Sequence, residues 1–136
     1  MFMIVPHALK ELIDGRAKAA VKPFNLQSSA AMLLPFIYYG GEPSMKCLSE
    51  AAGVDKALIT RNVRVLIEKG YVENVSERQR FYNLKVTPKG EQPLNAITEA
   101  VKGVHEEVLS ALDDEERAEL YNILGKIDIR VKELKG

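Results

Sequence analysis

Along most of this chain hydrophobic residues recur every three or four positions, the period of an amphipathic helix; one stretch alternates at every second residue instead. From Ala8 to Lys22 the apolar stripe is Leu9, Leu12, Ile13, Ala17, Ala20 and Val21, and Pro23 ends it. A second helix is predicted from Gln27 or Ser28 to Tyr39, with Asn25 and the two serines as caps and Gly40-Gly41 as its stop. Pro35 falls inside it and predicts a kink, because it has no N–H to give to Ala31. After the turn "GGEPS", a short helix over about Met45 to Ala52 is expected to bury Cys47, Leu48 and Ala51. Gly53 allows a sharp turn, Val54 fills the corner, and Asp55 caps a helix running to Lys69, with Gly70 as a left-handed stop. Ile59, Val63, Leu66 and Ile67 form its inner stripe. Two helices joined by a short glycine turn make the helix-turn-helix pattern.

The alternating stretch follows. "YVENV" and "RFYNLKV" read as two strands of a hairpin with the tip "SERQ"; Tyr82, Leu84 and Val86 share its buried face. "TPKG" closes the hairpin, with Thr87 as a cap and Pro88 suited to a first helical position. The last third is helical. Leu94, Ile97, Val101, Val104, Val108 and Leu112 make one stripe, and Leu120, Leu124, Ile127, Val131 and Leu134 make another. Between them Asp113 and Glu116 have capping-box spacing. Stripes this long on terminal helices need cover that the rest of a 136-residue chain is too small to supply, so a symmetric homodimer is expected. The fold class is mainly α with a small β-hairpin, a winged helix-turn-helix joined to helices at both ends.

Charge changes this picture. The chain carries 19 basic and 19 acidic residues and is formally neutral. Neutrality is an average over unlike parts: residues 55–90 hold 8 basic and 4 acidic groups, and residues 91–136 hold 6 basic and 11 acidic. The basic middle coincides with the helix-turn-helix and hairpin. A helix fits the major groove of duplex DNA with its N-terminal half at the base edges. The outer face of the second helix offers Lys56, Thr60, Arg61 and Arg64 for bases or phosphates, and Ala57 and Leu58 for thymine methyls. At the hairpin tip Arg80 suits the adjacent minor groove, where a narrow width concentrates negative potential, and Arg78 suits either that groove or a phosphate. The competing reading is a solvated, salt-bridged surface in which Glu77 holds one of the two arginines.

The segment from about Asn25 to Gly90 resembles the MarR family of transcriptional regulators. The likeness is carried by "LSEAAGVDKALITRNVRVLIEKGYVENV" and by "TPKG", which matches the family's T-x-K-G opening of the next helix. This resemblance implies a winged helix-turn-helix DNA-binding domain over residues 25–90 and a helical dimerisation region formed by residues 1–24 and 91–136. It implies a homodimer on a pseudo-palindromic operator, acting as a repressor, and release by a small aromatic or phenolic ligand. Lys56, Ala57, Leu58, Thr60 and Arg61 occupy the family's base-reading turn, and Arg80 the place of its wing arginine. Arg78 stands where the family often has an aspartate.

The remaining chemistry is sparse. His7, Phe36, Tyr38 and Tyr39 either line a ligand cleft or pack in the core. Cys47 is the only cysteine, so no intrachain disulfide is possible, which suits a reducing cytoplasm. His7 and His105 lack metal-ligand spacing, so no metal is expected. No phosphate loop or nucleophile–base motif points to an enzyme or a cofactor. The longest apolar run, Ala30 to Tyr39, is too short to span a bilayer, and the N-terminus lacks the basic start of a secretory signal. The alternative function, from another class, is a winged-helix module that binds protein through the same face without specific DNA readout.

Overall fold

The elements follow one another as α1 (Ile4–Val21), a 3-10 turn (Lys22–Phe24), α2 (Ser28–Ala31), α3 (Leu33–Tyr39), α4 (Met45–Ala52), α5 (Lys56–Glu68), β1 (Val72–Asn74), β2 (Leu84–Val86), α6 (Glu91–Leu109) and α7 (Asp114–Lys135). The computed structural model describes residues 4–78 and 82–136, with side chains from Pro6 onward. It divides into two compact units, Met1–Lys102 and Gly103–Gly136, with α6 running through the boundary.

The first unit holds the hydrophobic core. Leu34, Ile37, Leu48, Ile59, Val63, Leu66, Val72 and Leu84 are its buried centre, and Ala17 and Val21 join it from the end of α1. β1 and β2 pair antiparallel in the register Val72↔Val86, Glu73↔Lys85 and Asn74↔Leu84. Leu84 and Val86 are buried while Asn83 and Lys85 are exposed, as the alternation predicts.

The helix over residues 27–39 is two helices rather than one kinked helix. It breaks at Met32, just before the position where Pro35 withholds its N–H from Ala31. Neither Asn25 nor the serines cap α2; Asn25 instead sits at φ 52 and closes the 3-10 turn, its N–H donating to Lys22 O. α4 turns a different face inward from the one expected. Leu48 is buried and Met45 and Ala52 pack on the core, whereas Cys47 and Ala51 are exposed. An exposed Cys47 is expected to react with an aromatic disulfide reagent in the native protein as fast as a free thiol. Modification that waits for denaturant would put it back in the interior.

The second unit contains the end of α6 and all of α7. Asp113 and Glu116 form the expected capping box: Asp113 Oδ1 accepts from Glu116 N at 2.8 Å, and Glu116 Oε1 accepts from Asp113 N at 3.1 Å. No residue of α7 is buried within the single chain, and its stripe lies open at Leu124, Ile127, Val131 and Leu134.

Candidate nucleic-acid interface

The turn between α4 and α5 sets the angle of the second helix. Gly53 takes φ 64, a left-handed conformation costly for residues with a Cβ. Ser49 locks the turn: its backbone oxygen accepts from Val54 N at 3.3 Å and its hydroxyl donates to Val54 O at 2.6 Å. Ser44 caps α4 by accepting from Cys47 N at 3.1 Å, and Asp55 caps α5 by accepting from Ala57 N at 3.1 Å.

The far end of α5 is held by the residues of "TPKG". Thr87 Oγ1 donates to Gly70 O at 2.6 Å and accepts from Gly90 N at 3.1 Å. Lys89 Nζ donates to Lys69 O at 2.8 Å and lies 5.1 Å from the Tyr71 ring centroid, where its charge meets both a helix C-terminus and an aromatic face. Residues 87–90 are therefore spent as a staple, and α6 starts at Glu91 instead of at Pro88.

α5 buries Ile59, Asn62, Val63 and Leu66 and presents Ala57, Arg61 and Arg64 outward. Lys56 is exposed. Leu58, expected on the outer face, is half-buried, so its exposure cannot count toward DNA reading. The Thr60 hydroxyl donates to Lys56 O at 2.9 Å, which leaves its oxygen free to accept, the polarity that suits a base amino group.

Asn74 holds the hairpin tip. Its Oδ1 accepts from both Ser76 N at 3.1 Å and Asn83 N at 3.0 Å, joining the two strands above their last ladder pair. The Ser76 hydroxyl then accepts from Arg78 N at 3.2 Å. Arg78 is exposed on this frame; Arg80 lies outside the described residues.

The distribution of ion pairs bears on the two readings of these cations. α1 and α7 carry ion pairs: His7–Glu11 and Lys10–Asp14 on the first, Arg130–Glu133 and Lys132–Asp128 on the second. Lys46, Lys56, Arg61, Arg64 and Arg78 enter none among the described residues, and Glu77 does not hold Arg78.

The aromatic candidates are not core. Phe36 is 39%, Tyr38 53% and Tyr39 75% exposed, and the two tyrosine rings meet edge to face at 5.0 Å. Tyr38 and Tyr39 line a shallow cleft of about 240 Å³ with Glu91 and Asn95 at the start of α6. His7 stands apart from it on exposed α1, 3.2 Å from Glu11. Among the described residues no group of His, Cys, Asp and Glu could hold a metal ion, and no helix is long and apolar enough to cross a membrane.

A helix-turn-helix with an unpaired cationic outer helix, followed by a two-stranded wing, defines a winged-helix DNA-binding regulator. Residues 24–80 match the MarR family. The chain is 29% identical over 103 residues to the HTH-type transcriptional regulator BilQ of Clostridium symbiosum, a match covering 73% of this chain and 72% of that protein. Its fold is similar to that of a MarR protein from Peptoclostridium difficile, with TM-score 0.84 and 25% identity over 97% of this chain and 88% of that one. It is also similar in fold to MepR of S. aureus in a DNA complex, with TM-score 0.77 and 14% identity over 93% of this chain and 96% of that one. Over residues 24–80 the chain thus matches the MarR family of transcriptional regulators, and its likeness in fold to MarR proteins extends along nearly all of it.

Proposed function

We propose that this protein is a cytoplasmic repressor that binds a pseudo-palindromic operator as a homodimer. The observation that carries this reading is the set of unpaired cations on the outer face of α5 and on the wing, set against the ion pairs of α1 and α7. Residues 25–90 form the DNA-binding domain, and residues 1–24 and 91–136 the dimerisation region. Lys56, Ala57, Thr60, Arg61 and Arg64 meet the major groove. Arg78 and Arg80 enter the flanking minor groove. The open cleft beside Tyr38 and Tyr39 is the place for a small aromatic or phenolic ligand that releases the operator by preferring a different spacing of the two reading helices.

Selection of bound sequences from a random duplex pool tests this. The expected product is a pseudo-palindrome with half-sites about 34–36 Å apart, one turn of DNA. Arg61→Ala is then expected to weaken the selected operator by about 1–3 kcal/mol and to relax the preference at one base pair per half-site. Arg80→Ala is expected to weaken all sequences more evenly. A pool that yields no enriched sequence ends the operator reading and moves the basic face toward a protein partner.

A further inference from the structure

Two clefts meet beside the reading helix. One, of about 540 Å³, lies between α5, the start of α4 and the returning strand, and is lined by Lys46, Lys56, Thr60, Arg64, Ser44 and Tyr82. The other, of about 520 Å³, lies under the wing and includes Val75, Ser76, Arg78 and Asn83, with Glu77 its one acidic residue among the described residues. Ser44 and Tyr82 line both, so the clefts adjoin and together form a trough between the edge of α5 and the wing.

The geometry of duplex DNA says what a trough in this place must hold. A major groove and its neighbouring minor groove are separated by one sugar–phosphate strand. If α5 occupies the first and the wing the second, that strand has to pass between them. We propose that the trough is the track of this strand, and that Lys46, Ser44 and Tyr82 are phosphate-positioning residues that set how deep the reading helix sits. This assignment rests on the proposed DNA-binding function and adds residues outside α5 and the wing tip.

Three features of the lining fit a polyphosphate strand. Lys56, Thr60 and Arg64 are four residues apart, so they form one column along the helix at the trough's edge. Lys46 faces them from α4, and no acidic side chain lines this cleft among the described residues. Lys46 sits in the first turn of α4, where a cation opposes the helix dipole and forms no ion pair among the described residues. Tyr82 packs part of its ring on the core, which fixes the hydroxyl-bearing side chain at the junction of the two clefts.

Lys46→Gln and Tyr82→Phe test the track by salt titration on the selected operator and on an unrelated duplex. Lys46→Gln removes a surface charge and Tyr82→Phe keeps the ring, so both variants should melt like the parent. For Lys46→Gln the expected result is a 5- to 10-fold loss of affinity at fixed salt on both duplexes. The slope of log affinity against log salt should fall by about 0.9 for one lost phosphate contact. Tyr82→Phe should lose affinity on both duplexes with the slope kept, and the selected sequence should stay the same for both variants. Parental affinity and slope in both variants, with the parent still selecting its operator, would overturn the track alone. A changed base preference in Lys46→Gln would overturn it too, by making Lys46 a base reader. Failure of the parent to select any operator would instead remove the function on which the track rests.

Discussion

Gly90→Ala is expected to destabilise the protein by about 3 kcal/mol or more and to lower its thermal midpoint by about 10 °C. Gly90 is buried where the wing returns to α6. A Cβ placed there would overlap the Tyr71 carbonyl oxygen and lie 2.9 Å from both the Tyr71 carbonyl carbon and Val86 Cγ1. Two of these three atoms are backbone, so no rotamer change relieves the clash, and relief would require opening the staple. That staple joins Thr87 and Lys89 to Lys69, Gly70 and Tyr71, and Gly90 N donates to Thr87 Oγ1 within it. Its loss would free the C-terminal end of α5 and the base of the wing together. Gly125→Ala is the matched comparison. No atom lies within 4 Å of a Cβ built there, in the middle of α7, so the substitution is expected to raise stability by about 0.5–1 kcal/mol. Thermal unfolding followed by circular dichroism measures both. A midpoint for Gly90→Ala within 2–3 °C of the parent would show that the backbone there yields easily and that the staple is not tight.

The contrast between these two glycines shows which parts of the molecule are written locally in the chain. Several readings in which one rule acts over three or four residues hold. Asp55 caps α5, Asp113 and Glu116 close their box, and Gly53 and Gly70 take left-handed conformations. Each is a short-range contest between a side chain and a free backbone group, so neighbouring residues decide it. The reading slips where packing decides. Cys47 and Ala51 have the same apolar character as Leu48 and Ala52, and nothing in the period says which pair faces the core. Leu58 is drawn partly inward although its neighbours on α5 face out. Pro35 predicts a local bend, but whether the chain bends or breaks depends on how α2 and α3 each meet the core, and it breaks at Met32.

The site divides in the same way. The cations of α5 are legible because they lie at helical spacing on one element. Lys46, Ser44 and Tyr82 are not, because they come from the start of α4, its cap and the returning strand, and only folding brings them to one trough. A signal for Lys46 does exist in the sequence. It is a lysine in the first turn of a helix with no carboxylate there, whereas α7 opens with Asp114, Glu115 and Glu116. A residue set against the local electrostatic preference of its helix marks a place where something other than folding is served.

Ile127→Asp is expected to convert the proposed dimer to monomer and to lower operator affinity by at least about 100-fold. Within the single chain no residue of α7 is fully buried, and its stripe shows Leu124 48%, Ile127 42%, Val131 47% and Leu134 69% exposed. An apolar side chain contributes about 1.5–3 kcal/mol when fully covered, so a seam of four or five per chain is ample to hold a dimer. Two-fold symmetry places the substitution in both copies. At about 3 kcal/mol for each uncompensated buried carboxylate, the total is about 6 kcal/mol, or about four orders of magnitude in the dissociation constant. Separate monomers then bind their half-sites independently, without the effective concentration that tethering supplies. Ile129 provides the internal comparison. It is 60% exposed but two residues further along, on nearly the opposite side of α7, so Ile129→Asp should remain dimeric and retain operator binding. Sedimentation equilibrium across the micromolar range distinguishes these outcomes. A dimeric Ile127→Asp would place the seam elsewhere. Dissociation by both substitutions alike would mean that α7 is covered all round and not along one stripe.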